Sequence, residues 1–238
     1  MLLEKIIDEI KRKKELKDLD NEFIKRRINI YLLKNKIYLD EDDVNRRSKK
    51  YMGLFKAMRK ELRIIYGAFR DVNEKRASKI YEEIFSLVGK FDRLLDLGSG
   101  LNPMYYAKLN KEAEYYCCDI NNQEIKALNR YFRRNKIIGE AFVFDLVYDD
   151  LSLLPKADVI FLFRVLESLE YYERNISKRI LENLNSKIIV VSFAKNVLSN
   201  RGNIRRKGRI WFRRILKRLN YRYKDYDIGD EIFLVIRK

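Results

Sequence analysis

The 238 residues suffice for one doubly wound domain of ordinary size plus a smaller appendage, with a core that needs neither disulfides nor metals. The chain has no histidine, and its two cysteines, Cys117 and Cys118, are adjacent; this excludes an ordinary zinc site and a disulfide framework and points to a reducing, intracellular setting. A net charge of +17 with no eighteen-residue apolar run excludes a transmembrane helix and makes a polyanion the expected partner.

Met1 to Ile10 read as an amphipathic helix rather than a signal peptide, so a soluble, cytoplasmic protein is expected. Helices are predicted at residues 2–18, at 21–36 with Asp20 or Asn21 as cap, in a short segment entered at Asp40, and at 48–70. In the last of these, Leu54, Phe55, Met58, Leu62, Ile65 and Tyr66 form one apolar face at three- and four-residue spacing. Its other side carries Lys56, Arg59, Lys60 and Arg63, either a solvated face or an RNA contact. A helix at 75–88, ended by Gly89, leads into the second part of the chain.

There the pattern changes to apolar runs alternating with helical segments, as a parallel sheet covered on both faces requires. Strands are predicted at 93–98, 114–119, 139–145, 157–163 and 187–193, with helices at 103–110, 122–135, 167–184 and 207–219. Tyr221 to Asp227 and Glu231 to Ile236, joined by a turn at Ile228-Gly229-Asp230, read as an antiparallel pair closing the sheet edge. The predicted organisation is α/β, with a helical domain over residues 1–75 and a Rossmann-like seven-stranded sheet over 76–238, an element order like that of class I S-adenosylmethionine-dependent methyltransferases.

Charge follows the same division. Residues 1–75 carry 21 basic and 14 acidic side chains, residues 76–186 carry 16 and 17, and residues 187–238 carry 15 and 4. Two basic ends around a neutral middle suit a protein that docks on phosphates and releases their counterions. The other reading is a highly charged surface of thermophilic type, which the abundance of Lys, Glu, Arg and Ile and the single glutamine, Gln123, would fit.

In a doubly wound sheet a ligand sits beyond the carboxyl ends of the strands, beside the first. Asp96-Leu97-Gly98-Ser99-Gly100 lies there, with two glycines that allow close backbone approach. Pro103 replaces the third glycine of a nicotinamide fingerprint, and no Gly-Lys-Ser/Thr follows to make a P-loop. Asp119 at the end of the second strand suits ribose hydroxyls, and Asp145-Leu146 at the end of the third suits an adenine amino group; each acid is also a plausible turn former.

Phe161-Leu162-Phe163-Arg164 after the fourth strand is not the loop used for exocyclic amines, and both cysteines precede Asp119 within a strand, away from a nucleophile's position. A ring nitrogen or a hydroxyl remains as acceptor. Guanine N7 has a free lone pair and needs no general base, which suits a site without histidine.

These residues resemble the 16S ribosomal RNA (guanine-N7) methyltransferases associated with aminoglycoside resistance. The resemblance rests on Leu94 to Pro103, with its Leu101-Asn102-Pro103, on Tyr116-Cys117-Cys118-Asp119-Ile120, on Asn73-Glu74-Lys75-Arg76, on Val191-Ser192-Phe193 and on Gly229-Asp230-Glu231-Ile232. The helical N-terminus, including Tyr66-Gly67-Ala68, resembles that family's small-subunit-docking domain.

The resemblance implies S-adenosylmethionine as cofactor, methyl transfer to a guanine N7 in helix 44 of the decoding region, and the 30S subunit as partner; a monomer is expected because one subunit offers one site. Arg76 would bind the methionine carboxylate, Asp119 with Ile120 the ribose, and Asp145 with Leu146 the adenine, with Asp96, Gly98, Ser99, Gly100, Asn102 and Phe163 also lining the cofactor. Arg59, Lys60, Arg63, Lys195, Arg201, Arg205, Arg206, Lys207 and Arg209 would contact RNA. This chain has Arg164 where the family has lysine, Ala194 where it has proline, and a basic loop from Asn200 to Lys207. The departures keep two alternatives open, methylation of adenine N1 or another ring nitrogen, and a non-catalytic ribosome-assembly protein of the same fold.

Overall fold

A computed structural model describes residues 2–17, 19–40, 43, 45, 47–63, 76–195 and 209–238. The chain divides into two compact units, Met1–Asp71 with Ile120–Gln123, and Val72–Asp119 with Glu124–Lys238.

The first unit is helical. In α1 (Leu2–Lys11), Ile6, Ile7 and Ile10 recur at three and four residues and are buried. The helix predicted to reach residue 18 stops at Lys11 and is followed by a 3-10 turn, Lys14–Leu16. The run Lys11-Arg12-Lys13-Lys14 stacks like charges, and the turn brings Leu16 and Leu19 back into the core. Asp20 caps α2 (Asn21–Asn35) by accepting from Phe23 N at 3.0 Å. Ser48 caps α3 (Lys49–Leu62), whose Tyr51, Leu54, Phe55, Met58 and Leu62 pack on Ile6, Ile10, Ile24 and Ile28. Around residue 43, where a short helix was predicted, the described residues form turns.

The second unit opens with α4 (Ser78–Val88), closed by Gly89 at φ +78°. It continues through β1 (Arg93–Leu97), α5 (Pro103–Tyr106), β2 (Glu114–Asp119), α6 (Asn122–Asn135), β3 (Gly139–Val143), β4 (Val159–Phe163), α7 (Leu166–Tyr172), α8 (Ile176–Asn183), β5 (Ile188–Ala194), α9 (Ile210–Arg218), β6 (Arg222–Ile228) and β7 (Glu231–Arg237). The sheet order is β3-β2-β1-β4-β5-β7-β6, parallel from β3 to β5, with β7 antiparallel between β5 and β6. Five parallel strands and a final hairpin are therefore present as predicted, and this is the class I methyltransferase arrangement.

Both faces are covered. All five residues of β4 are buried, and alternate residues of β1 enter two cores, Leu95 and Leu97 on one face and Leu94 on the other. Two predicted elements break earlier than periodicity suggested. The single helix over 167–184 divides at Asn175, in the left-handed region at φ +68°, because Glu170 accepts from Asn175 N (2.6 Å) and Ser177 N (3.1 Å) and so starts α8 afresh. Strand β3 ends at Val143 because the Asp145 carboxylate turns the chain by accepting from Val147 N at 2.9 Å.

Candidate cofactor site

The turn after β1 is fixed by backbone bonds to the end of β2. Gly98 N and Ser99 N both donate to Cys118 O, at 2.9 and 3.0 Å, and Gly100 N donates to Asp119 Oδ2 at 3.1 Å. Gly98 and Gly100 adopt φ +69° and +51°. At Gly98 the need for glycine is also steric, since a Cβ there would lie 2.5 Å from Val165 Cγ2. The two strand ends and the glycine turn thus form one hydrogen-bonded edge, with the half-buried Asp119 carboxylate at its mouth. Ile120 follows directly, partly exposed.

Three of the predicted cofactor residues lie inside the wall rather than at its surface. Asp96 is buried and accepts from the Tyr106 hydroxyl at 2.8 Å. Burial and the Asp96 charge push that hydroxyl well above its ordinary pKa, so it stays protonated as the donor. Asn102 Nδ2 donates to Ser99 O at 3.0 Å while its Oδ1 accepts from the Tyr81 hydroxyl at 2.8 Å, tying the turn to α4. Ser99 is buried, with its hydroxyl donating to Gly100 O.

At the third strand end, Asp145 is buried and Leu146 packs in the core with Phe144 and Val147. Phe163 likewise belongs to the interior: it stacks on Phe161 at 4.4 Å and meets Phe233 edge-on. The Arg76 guanidinium lies over its ring at 5.1 Å.

Arg76 is itself buried and bound in a fork by Glu231, Nε to Oε1 at 2.6 Å and Nη2 to Oε2 at 3.0 Å. Burial works against its charge, yet the Glu231 carboxylate outweighs burial and raises its pKa above the ordinary value. Nη1, enclosed as well, has no partner within hydrogen-bond distance among the described residues, although the Tyr81 hydroxyl also interacts with the guanidinium. Ser192 Oγ donates to the same Glu231 Oε2, and Arg164 reaches Glu231 Oε1 at 3.4 Å and Asp230 Oδ2 at 2.8 Å. Arg164, at φ +58°, is therefore engaged by the β6–β7 hairpin and presents no free guanidinium for chemistry. Glu231 was read in the sequence only as part of a hairpin. Its signal is an acid opening a strand that is otherwise apolar through Ile236.

Both cysteines are fully buried, and burial raises their thiols well above the ordinary pKa, so neither offers a nucleophilic thiolate near neutral pH. Among the described residues no group of His, Cys, Asp and Glu could hold a metal, and no helix is long and apolar enough to cross a membrane.

The predicted RNA-binding residues divide unevenly. Lys56 and Lys60 are exposed on α3, as is Arg63 just after it, but Arg59 is half-buried over Phe55 (4.0 Å) and donates to Glu9 O. Lys195 pairs with Asp227 and donates to Gly229 O. Arg209, expected to face outward, is instead buried: it pairs with Glu167 at 2.8 Å, donates to Ala194 O and covers Phe193. Its charge joins the start of α9 to α7 and β5, because a half-buried acid, Glu167, waits there for a partner. Arg201, Arg205, Arg206 and Lys207 lie outside the described residues, as do Tyr66 to Ala68 and Asn73 to Lys75.

Comparison with known proteins agrees with this geometry. Residues 57–209 match the family described as ribosomal RNA methyltransferase (FmrO). The chain is 29% identical over 168 residues to the 16S rRNA (guanine(1405)-N(7))-methyltransferase of Micromonospora echinospora, and 29% identical over 164 residues to that of Micromonospora rosea. These stretches take in 68% and 67% of this chain, which spans 59% of the length of each relative. The fold is similar to the crystal structure of the 16S rRNA methyltransferase RmtF in complex with S-adenosyl-L-homocysteine, with TM-score 0.76, 21% identity and coverage of 100% of this chain and 98% of that one.

Proposed function

The chain belongs to the ribosomal RNA methyltransferase (FmrO) family, and from that premise we propose that it transfers a methyl group from S-adenosylmethionine to a guanine N7 in the decoding region, helix 44, of small-subunit rRNA. The observation that carries the reading is the joined edge of β1 and β2, where Gly100 N holds the Asp119 carboxylate at the mouth of the glycine turn. The names of the two Micromonospora relatives support the choice of base and atom.

The residues fit the cofactor. Arg76, pinned by Glu231 on two nitrogens, keeps one buried donor, Nη1, without a hydrogen bond among the described residues; a carboxylate is the group that satisfies it. Asp119 would take the ribose hydroxyls. Asp145 would serve the adenine end, with its turn holding the chain in place. Asp96, Ser99, Asn102 and Phe163 would hold the walls. Bound there, the cofactor supplies an electrophilic methyl group.

Guanine N7 attacks with its own lone pair, so the chain's task is placement rather than proton transfer. Holding nitrogen and methyl carbon in line is worth up to roughly 7–11 kcal/mol. A water-poor surrounding would favour a step that disperses the positive charge of the donor. Arg164 takes the role of a positioning residue, bracing the hairpin that bears Glu231.

The helical unit, with Lys56, Lys60 and Arg63 exposed, is proposed to dock on the small subunit, along with the basic segment from Arg201 to Lys207. The protein acts as a cytoplasmic monomer in this reading, since one subunit offers one target. Labelled S-adenosylmethionine incubated with 30S subunits and with naked 16S rRNA tests it. Label should enter the subunits in preference to naked RNA, and Asp119→Ala should abolish the transfer. No incorporation into either substrate would overturn the reading and leave a non-catalytic assembly role.

A further inference from the structure

A second basic surface lies at the far edge of the sheet, where α9 runs past the edge strand β6. An open cavity of about 430 Å³ there is lined by Ile210, Arg213, Arg214, Lys217, Asn220, Tyr221 and Tyr223. Asn220, in the left-handed region at φ +56°, ends the helix turn and directs the chain into β6, so that Tyr221 and Tyr223 stand on the strand face turned to α9.

The cations in this groove are of two kinds. Arg213 is spent internally: it pairs with Asp225, donates to the Tyr223 hydroxyl at 3.4 Å and lies over the Tyr223 ring at 5.5 Å. It therefore shapes the floor. Arg214 and Lys217 are exposed, sit three residues apart on one helix face, and form no ion pair among the described residues. Among the described residues no carboxylate lines the cavity. A solvated helix face usually mixes both signs, whereas α9 carries no acid and continues the same charge through Arg218, also exposed.

We propose that this groove is a second RNA-docking site, in which Arg214 and Lys217 bind consecutive phosphates of an rRNA strand and the Asn220 amide donates to the backbone beside them. The proposal rests on the ribosomal RNA reading above. Contacts of this kind position the protein without reading sequence, and each released counterion shows in the salt dependence of binding.

The test compares two full-length double variants of equal charge change, Arg214→Gln/Lys217→Gln in the groove and Lys126→Gln/Arg130→Gln on the exposed side of α6. Binding of labelled 16S rRNA is measured over a salt series, with melting temperature and S-adenosylhomocysteine affinity as checks on folding. The groove variant should lose about tenfold in affinity, and its slope of log K against log salt should fall by about 1.4, while the α6 variant stays near wild type. Equal losses in both variants, or no loss in either, would overturn the proposal. So would a groove variant that keeps RNA binding and loses binding to anionic lipid vesicles or to an acidic protein. If wild type transfers no methyl group yet the groove variant alone loses RNA, the enzymatic reading fails and the groove stands. If methyl transfer proceeds and the groove variant binds as wild type does, the groove fails alone.

Discussion

Glu231 holds Arg76 by two of its three guanidinium nitrogens, across 155 residues of chain, and leaves Nη1 as the donor without a hydrogen bond among the described residues. The pair makes the start of the sheet-bearing unit dependent on its final hairpin. A buried fork of this kind fixes the guanidinium plane, and the plane decides where the remaining donor points.

Truncating the pair should therefore damage both stability and cofactor binding. Glu231→Ala leaves Arg76 buried without its acid and Arg164 with Asp230 alone, and should cost about 3–5 kcal/mol in denaturant unfolding. Glu231→Gln retains an acceptor and should fold better, yet it should bind S-adenosylhomocysteine at least about tenfold more weakly by calorimetry, because one charge-assisted bond is worth roughly 1.5–3 kcal/mol. Wild-type affinity in Glu231→Gln would show that the fork is structural only.

Asp119 separates binding from folding. Its half-buried carboxylate accepts from Gly100 N at the glycine turn. Asp119→Ala should lower cofactor affinity by about 10- to 150-fold while moving the melting temperature little. Asp119→Asn keeps an oxygen for Gly100 N and should fall between the two.

At Gly98 the strain has two separable parts. A methyl group would meet Val165 Cγ2 at 2.5 Å, and φ is +69°. Gly98→Ala should destabilise by about 1–3 kcal/mol. Adding Val165→Ala should recover the steric share and leave the conformational one, a non-additivity that a double-mutant cycle measures.

The cysteines provide a test of what the chemistry is not. Cys117 and Cys118 are fully buried with raised pKa values, so neither should react with a thiol reagent at pH 8 until the protein unfolds. Fast labelling of the native protein would place a thiolate at the surface and reopen carbon methylation. Replacing both by alanine should reduce stability through lost packing and leave the methylated atom unchanged.

Much of the fold was legible because it is written in local patterns. Strand β2 and helix α6 occur at the predicted residues, since an apolar run bounded by charged residues and an amphipathic three-four spacing each specify their element without help from elsewhere. The glycine turn was legible for the same reason. What periodicity missed is set by distant partners or by single side chains. Asn175 interrupts a helical pattern because Glu170 recaptures the chain, and Asp145 shortens β3 by its own turn. Arg209 looked like an outward cation in a basic run, and only the fold brings Glu167 to it. Arg76 was named through family resemblance, whereas its partner Glu231 passed as a hairpin residue because nothing local marks an ion pair spanning the whole unit.

The target atom is the most exposed part of the account, and one chemical measurement reaches it directly. After incubation of 30S subunits with the protein and S-adenosylmethionine, borohydride reduction and aniline treatment cleave RNA at 7-methylguanine. The account predicts a single new scission at a guanine in the decoding region, absent with Asp119→Ala. Methyl incorporation without scission would contradict the N7 assignment and move the reaction to another ring nitrogen.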